Sequence, residues 1–169
     1  MLKTLAIFFA SILLMSCGGN KNFTAFEGKN PANAKAFAPP KDERLLNIAE
    51  HALKFEGTRY KYGGTTSKGM DCSGLVYTSF LEEDIQLPRV SRDMAREGEK
   101  ISTNQVNVGD LLFFKTSSRS KQINHVGLVV DIMPGQILFI HSTSSRGVIV
   151  SSLNEGYWNN SFVEARRIL

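Results

Sequence analysis

Cysteine and histidine are scarce in this chain, with two of the first and three of the second in 169 residues. Neither type falls in a close Cys-x-x-Cys or His-x-x-x-His pair, the spacing that structural zinc sites favour. No apolar run is long enough to span a bilayer comfortably: the one at 5–15 is short and broken by Ser11. The Gly-, Thr- and Ser-rich stretch 60–69 lacks the Gly-Lys-Ser/Thr ending of a phosphate-binding loop, so ATP is not implied. Lysine and arginine are scattered rather than clustered with aromatics, which argues against nucleic acid as a partner. Repeats and low-complexity tracts are also missing, so solenoids and wholly disordered chains are excluded.

What is present begins with a short basic start, Met1 to Lys3, ahead of the apolar run. That pattern matches a secretory signal whose hydrophobic region ends at Leu14-Met15-Ser16-Cys17. A small residue before a cysteine at this point resembles the lipobox of bacterial lipoproteins, which implies cleavage after residue 16 and acylation of Cys17. Acyl chains would hold the protein on a membrane. Residues 17–40 then read as the lipidated cysteine and a flexible tether, being rich in Gly, Asn, Lys, Ala and Pro and closing on Pro39-Pro40. Residues 41–169 are enough for one domain with a real core. The formal charge of +4 and pI near 9.1 suit contact with anionic lipid or a carboxylate-rich polymer.

From Lys41 the hydrophobic period is helical. Leu45, Ile48, Ala49, Ala52 and Leu53 share a face and Gly57 stands where the helix should stop, predicting a helix over 42–56. Asp71 is placed to cap a second helix over 72–83, and Ser91 to cap a short third one after Pro88. The period then changes: 111–115, 126–131, 136–141, 148–152 and 162–166 are short and rich in Val, Ile and Phe, and turn residues separate most of them. Helices first and strands afterwards predict an α+β domain with a helical layer on an antiparallel sheet.

The same order gathers a reactive set. With Cys17 acylated, Cys72 has no disulfide partner in an oxidising compartment, and in the first turn of a helix its thiolate would be favoured by free backbone N–H groups. His125 opens a strand and His141 closes the next, so two imidazoles can meet beside one thiol. Such a trio suits nucleophilic catalysis: His125 takes the thiol proton and later returns it to a leaving amine, while His141 orients the His125 ring. His51 falls on the first helix and reads as structural.

Tyr60-Lys61-Tyr62-Gly63-Gly64, Asp71-Cys72-Ser73-Gly74, Gly109 to Phe114 and His125-Val126-Gly127-Leu128 stand in that order, and over about 44 to 167 the chain resembles the NlpC/P60 peptidases. The resemblance implies a papain-like fold and a Cys72-His125-His141 triad. It gives Tyr60 a place beside the reacting carbonyl, and Asp71, Ser73 and Ser91 a place around a substrate amine. The Cys72 backbone N–H could then help stabilise the oxyanion.

It further implies hydrolysis of amide bonds in peptidoglycan stem peptides, of the γ-D-glutamyl-diaminopimelate or D-Ala-diaminopimelate type. No metal or cofactor is called for, and a monomer on the periplasmic side of the outer membrane is the expected form. Two departures bear on substrate preference: Met94 stands where many members carry glutamine, and 117–120 form a polar insertion. The competing readings are an amidase or acyltransferase on the same triad, a metal-binding lipoprotein, and a wall tether without activity. An active thiolate–imidazolium pair would make the rate rise as Cys72 ionises and fall as His125 loses its proton.

Overall fold

The periodic face of the first helix buries Leu45, Ile48, Ala49 and Ala52, and this is what holds α1 (Arg44–Leu53) in place. In the computed structural model, which describes residues 42–117 and 121–169, α1 is three residues shorter at its C-terminal end than the period suggests. Turns carry the chain from Lys54 to Gly57, whose φ of 82° only glycine adopts freely. The signal segment, Cys17 and the tether lie outside the described residues, as do residues 118–120 of the polar insertion.

A two-residue hairpin, β1 (Thr65–Thr66) with β2 (Gly69–Met70), interrupts what reads in sequence as plain loop. It leads directly into α2 (Cys72–Leu81), capped as expected by Asp71, whose carboxylate accepts the Gly74 N–H at 2.7 Å. The short α3 (Ser91–Met94) differs from expectation: Val90 occupies the N-cap position, and Ser91 is the first helical residue, with no capping bond from its side chain.

The second half forms a six-stranded sheet from β3 (Glu99–Ile101), β4 (Leu111–Phe114), β5 (His125–Met133), β6 (Gln136–Thr143), β7 (Gly147–Ser152) and β8 (Phe162–Arg167). Its order is β3-β8-β4-β5-β6-β7, and every pairing is antiparallel. The chain is therefore a papain-like α+β fold, with one addition to the sequence reading. All of β4 is buried, because the sheet is covered on both faces. Leu111 and Phe113 join Leu45, Ile48, Leu75 and Phe80 under the helical layer. Leu112 and Phe114 join Phe139, Leu153 and Trp158 on the other face, and Trp158 comes from a short helix, α4 (Gly156–Ser161).

One motif owes its place to this architecture. Asp110 is fully buried, and Arg167 of β8 donates to it from Nε at 2.9 Å and from a terminal nitrogen at 2.7 Å, while Asn107 N–H adds a bond at 2.7 Å. A carboxylate this deep must be paired, so the Gly-Asp step before β4 fastens that strand to the chain's last one.

Candidate active site

The cleft is organised by two strand positions and one helix start. Leu128 pairs with Ile140 across β5 and β6. Continued toward His125, that register makes His125 and His141 diagonal neighbours on one face of the sheet. Their rings meet edge to face, with His125 Nε2 3.0 Å from His141 Nδ1. The bond occupies the Nε2 edge of His125 and leaves Nδ1 as the nitrogen able to take a proton.

Aromatic packing holds this pair. Phe139 stacks on His141 at 4.7 Å between centroids, and Trp158 lies flat on His125 at 5.3 Å and edge-on to His141 at 4.4 Å. Gly127 makes room: a Cβ there would collide with the Phe139 ring. Sequence does not single out Trp158, because nothing local marks a tryptophan fifteen residues after β6 as the wall of a histidine pair.

Cys72 is the first residue of α2 and is half-buried. The N–H groups of Val126, Ser73 and Cys72 itself favour its anion. Val126 is the second residue of β5, so the thiol sits at the start of that strand, and it lines one pocket with His125. Ser142 on β6 donates to the Met70 carbonyl at 2.8 Å, tying the His141 strand to the segment that delivers Cys72.

The cleft has two arms that share Tyr60, Cys72 and Asn124. One, of about 400 Å³, adds His125, Ser142 to Arg146 and Trp158. The other, of about 460 Å³, adds Tyr62, Asp71, Ser73, Arg89, Ser91 and Arg92. All the expected site residues of the domain except His141 line one arm or both. His141 is fully buried behind His125, with no hydrogen-bond partner for its Nε2 among the described residues. His51 lies apart on α1, its Nε2 3.7 Å from Glu82.

Electrostatics here are ruled by burial. It raises the Cys72 thiol above its ordinary value, outweighing the three N–H groups, and the Asp71 charge adds to the rise. Burial also lowers both imidazoles, and the charges of His125 and Arg146 lower His141 further. The Tyr60 hydroxyl is raised, first by burial and then by Cys72, Asp71 and Tyr62. Burial therefore works against both the thiolate and the imidazolium, and so against the ion pair expected from sequence. A helix start stabilises a thiolate only as far as desolvation allows.

Asp71 is also tied into the fold on both of its oxygens. One oxygen accepts from Gly74 N–H, the Ser73 hydroxyl and an Arg89 nitrogen; the other accepts from Gly63 N–H at 2.7 Å and Arg89 at 3.0 Å. A carboxylate so engaged already carries a counter-charge, the Arg89 guanidinium. Arg89 also donates to the Ser73 hydroxyl at 2.8 Å and the Gly64 carbonyl at 3.1 Å, so both Ser73 and Asp71 act through it. Gly74 is needed because a Cβ there would strike the Gly64 carbonyl and Arg89. Arg89 follows Pro88 in sequence as one more scattered cation, and only its partners reveal its part. No group of three His, Cys, Asp or Glu side chains among the described residues is placed to hold a metal ion.

With this geometry in view, comparison with known proteins is decisive. The model of the NlpC/P60 family matches residues 57–167. The chain belongs to that family. Among its NlpC/P60 relatives, the murein DD-endopeptidase MepS/murein LD-carboxypeptidase of Escherichia coli K12 is 33% identical over 94% of this chain and 88% of its own length. The probable endopeptidase NlpC of the same organism is 39% identical over 78% of this chain and 87% of its own. Among solved structures, an NlpC/P60 family protein from Bacillus cereus superposes with a TM-score of 0.66 at 28% identity, covering 78% of this chain and 41% of that one. The chain thus spans less than half of that larger protein. The NlpC/P60 domain of the peptidoglycan hydrolase SagA gives a TM-score of 0.59 at 28% identity and is covered over 97% of its length.

Proposed function

We propose that the chain is a cysteine peptidase that hydrolyses amide bonds in peptidoglycan stem peptides. The observation that carries this reading is the His125–His141 bond beside a cleft that Cys72 lines at a helix start. The names of the relatives support the substrate class: MepS is named for murein, and SagA for peptidoglycan.

In the reaction, the Cys72 thiol gives its proton to His125 Nδ1 as sulfur attacks the carbonyl carbon. Backbone N–H of Cys72 and the Tyr60 hydroxyl stabilise the oxyanion. His125 returns the proton to the leaving nitrogen, the C–N bond breaks, and a thioester remains. Water then attacks that thioester, losing a proton to His125, which passes it to the departing sulfur. His141 holds the His125 ring with Nδ1 toward the thiol. Asp71 and Ser73 shape the neighbouring arm through Arg89, and Ser91 lines it. The bond cut is of the γ-D-glutamyl-diaminopimelate or D-Ala-diaminopimelate type.

The same proposal has Cys17 acylated and the domain tethered as a monomeric lipoprotein, on the periplasmic side of the outer membrane. Support comes from the Leu14-Met15-Ser16-Cys17 pattern and the length of 17–40.

The test is to incubate the full chain, solubilised in detergent, with purified peptidoglycan beside Cys72→Ala and to identify products by mass spectrometry. New peptide termini made by the parent and absent with Cys72→Ala are expected. Identical products from both would sink the thiol mechanism, and free lactyl groups would mean an amidase. Metabolic labelling with palmitate, lost in Cys17→Ala, checks the anchor.

A further inference from the structure

Charge in this molecule is unevenly spread around the cleft. Over residues 42–169 acidic side chains equal basic ones in number. The arm beyond Cys72 nevertheless contains one acid, Asp71, and its oxygens are taken by Arg89, Ser73 and two backbone N–H groups. Where that arm ends, Arg92, Gln122 and Ile123 also line a further surface hollow of about 620 Å³. Its rim carries Arg92, Arg96, Lys115 and Lys121 against a single carboxylate, Asp93. All four cations are exposed. Asp93 lies 3.7 Å from Arg92, a loose pairing, and among the described residues no acid pairs with Arg96, Lys115 or Lys121. Four exposed cations around one hollow raise the local potential and with it the local concentration of anions.

We infer that this basic hollow, continuous with the cleft through Arg92, is an extended substrate subsite that takes carboxylates of an acidic peptide. The inference rests on the peptidase reading above and deepens it. A stem peptide lying from Cys72 past Ser91 and Arg92 would present side-chain or terminal carboxylates to Arg96 and Lys121. Anionic lipid is the other ligand four cations could attract, but continuity with the Cys72 arm favours the peptide.

The test uses the full chain in detergent and two synthetic stem peptides, one with free carboxylates and one with the same groups amidated. For the parent, amidation should raise KM about tenfold with kcat little changed, the product of two exposed charge pairs. Arg96→Gln with Lys121→Gln should raise KM for the acidic peptide by a similar factor and remove the difference between peptides. Arg44→Gln with Lys54→Gln, which removes equal charge from α1, should leave that difference intact. Equal KM for both peptides with the parent, or an equal loss on both with the cleft-side variant, would overturn the subsite and leave the peptidase standing.

Binding measured by calorimetry on Cys72→Ala keeps the two claims apart. Carboxylate-dependent binding that needs Arg96 and Lys121, without cleavage by the parent, would sink the peptidase and support the subsite. No binding of the acidic peptide would sink the subsite. Phosphatidylglycerol vesicles, against phosphatidylcholine, give the last outcome: vesicle binding lost in the cleft-side variant with peptide KM unchanged assigns the cations to lipid and refutes the inference.

Discussion

Replacing Arg89 with methionine should unsettle the start of α2 more than the loss of a half-exposed cation suggests. Arg89 is 34% exposed at its side chain, and its partner Asp71 10%. The substitution removes both guanidinium bonds to Asp71 and those to Ser73 and Gly64, and leaves a carboxylate that still holds Gly63 and Gly74 N–H but has lost its counter-charge. Stripping one partner from a buried ion pair costs about 3–5 kcal/mol. Arg89 keeps access to water, so the lower part of that scale applies, about 2–3 kcal/mol after screening. For a domain of this size that is a fall in Tm of roughly 8–12 °C.

Thermal unfolding of the parent, Arg89→Met, Asp71→Asn and the double variant gives a cycle that isolates the pair. Asparagine keeps the helix cap, so the coupling energy, at least about 1 kcal/mol, should report the charge pair itself. Arg89→Lys should not restore the parent, because an ammonium cannot bridge both carboxylate oxygens and the Gly64 carbonyl in one plane. Arg89→Met melting within about 2 °C of the parent, which the scale above would make under 1 kcal/mol, would refute the claim that Asp71 is committed inside the chain.

Two more predictions concern the imidazoles and the thiol. With burial raising Cys72 and lowering His125, the competent neutral pair should persist between the two displaced values. Activity should fall on the acid side only below the ordinary histidine value of 6.5, as His125 gains its proton, and on the alkaline side only above the ordinary thiol value of 9.0. Ultraviolet thiolate absorbance, parent minus Cys72→Ser, should be absent at neutral pH; strong absorbance there would restore the ion pair. Trp158→Ala should cost about 3–5 kcal/mol of stability, as large buried aromatics do, and admit water to His125. The acid limb of the rate profile should then move up toward 6.5, while Trp158→Phe should keep it low. An unmoved limb in the alanine variant would mean that Trp158 packs the core without setting the imidazole's surroundings.

Helix α1, the Asp71 cap and five of the six main strands are written locally, as periods of apolar residues and a carboxylate one step before a helix. Such patterns need no knowledge of what lies across the fold. The candidate site could be read for the same reason: Cys72 and His125 open their elements and His141 lies two residues before the end of β6, so strand alternation and a helix start bring them to one region. The short β3 and the hairpin of β1 and β2 carry too few residues to show a period, and α4 is a single apolar anchor, Trp158, in a polar stretch.

What tertiary structure alone decided are properties that depend on partners remote in sequence. Asp71 in sequence is a helix cap and a charge; only the fold brings it Arg89 and the Gly63 backbone as partners. Cys72 in sequence is a thiol at a favourable helix start, yet desolvation by the packed sheet opposes its ionisation. Charge and burial are sums over neighbours in space, and a chain lists only its neighbours along the backbone.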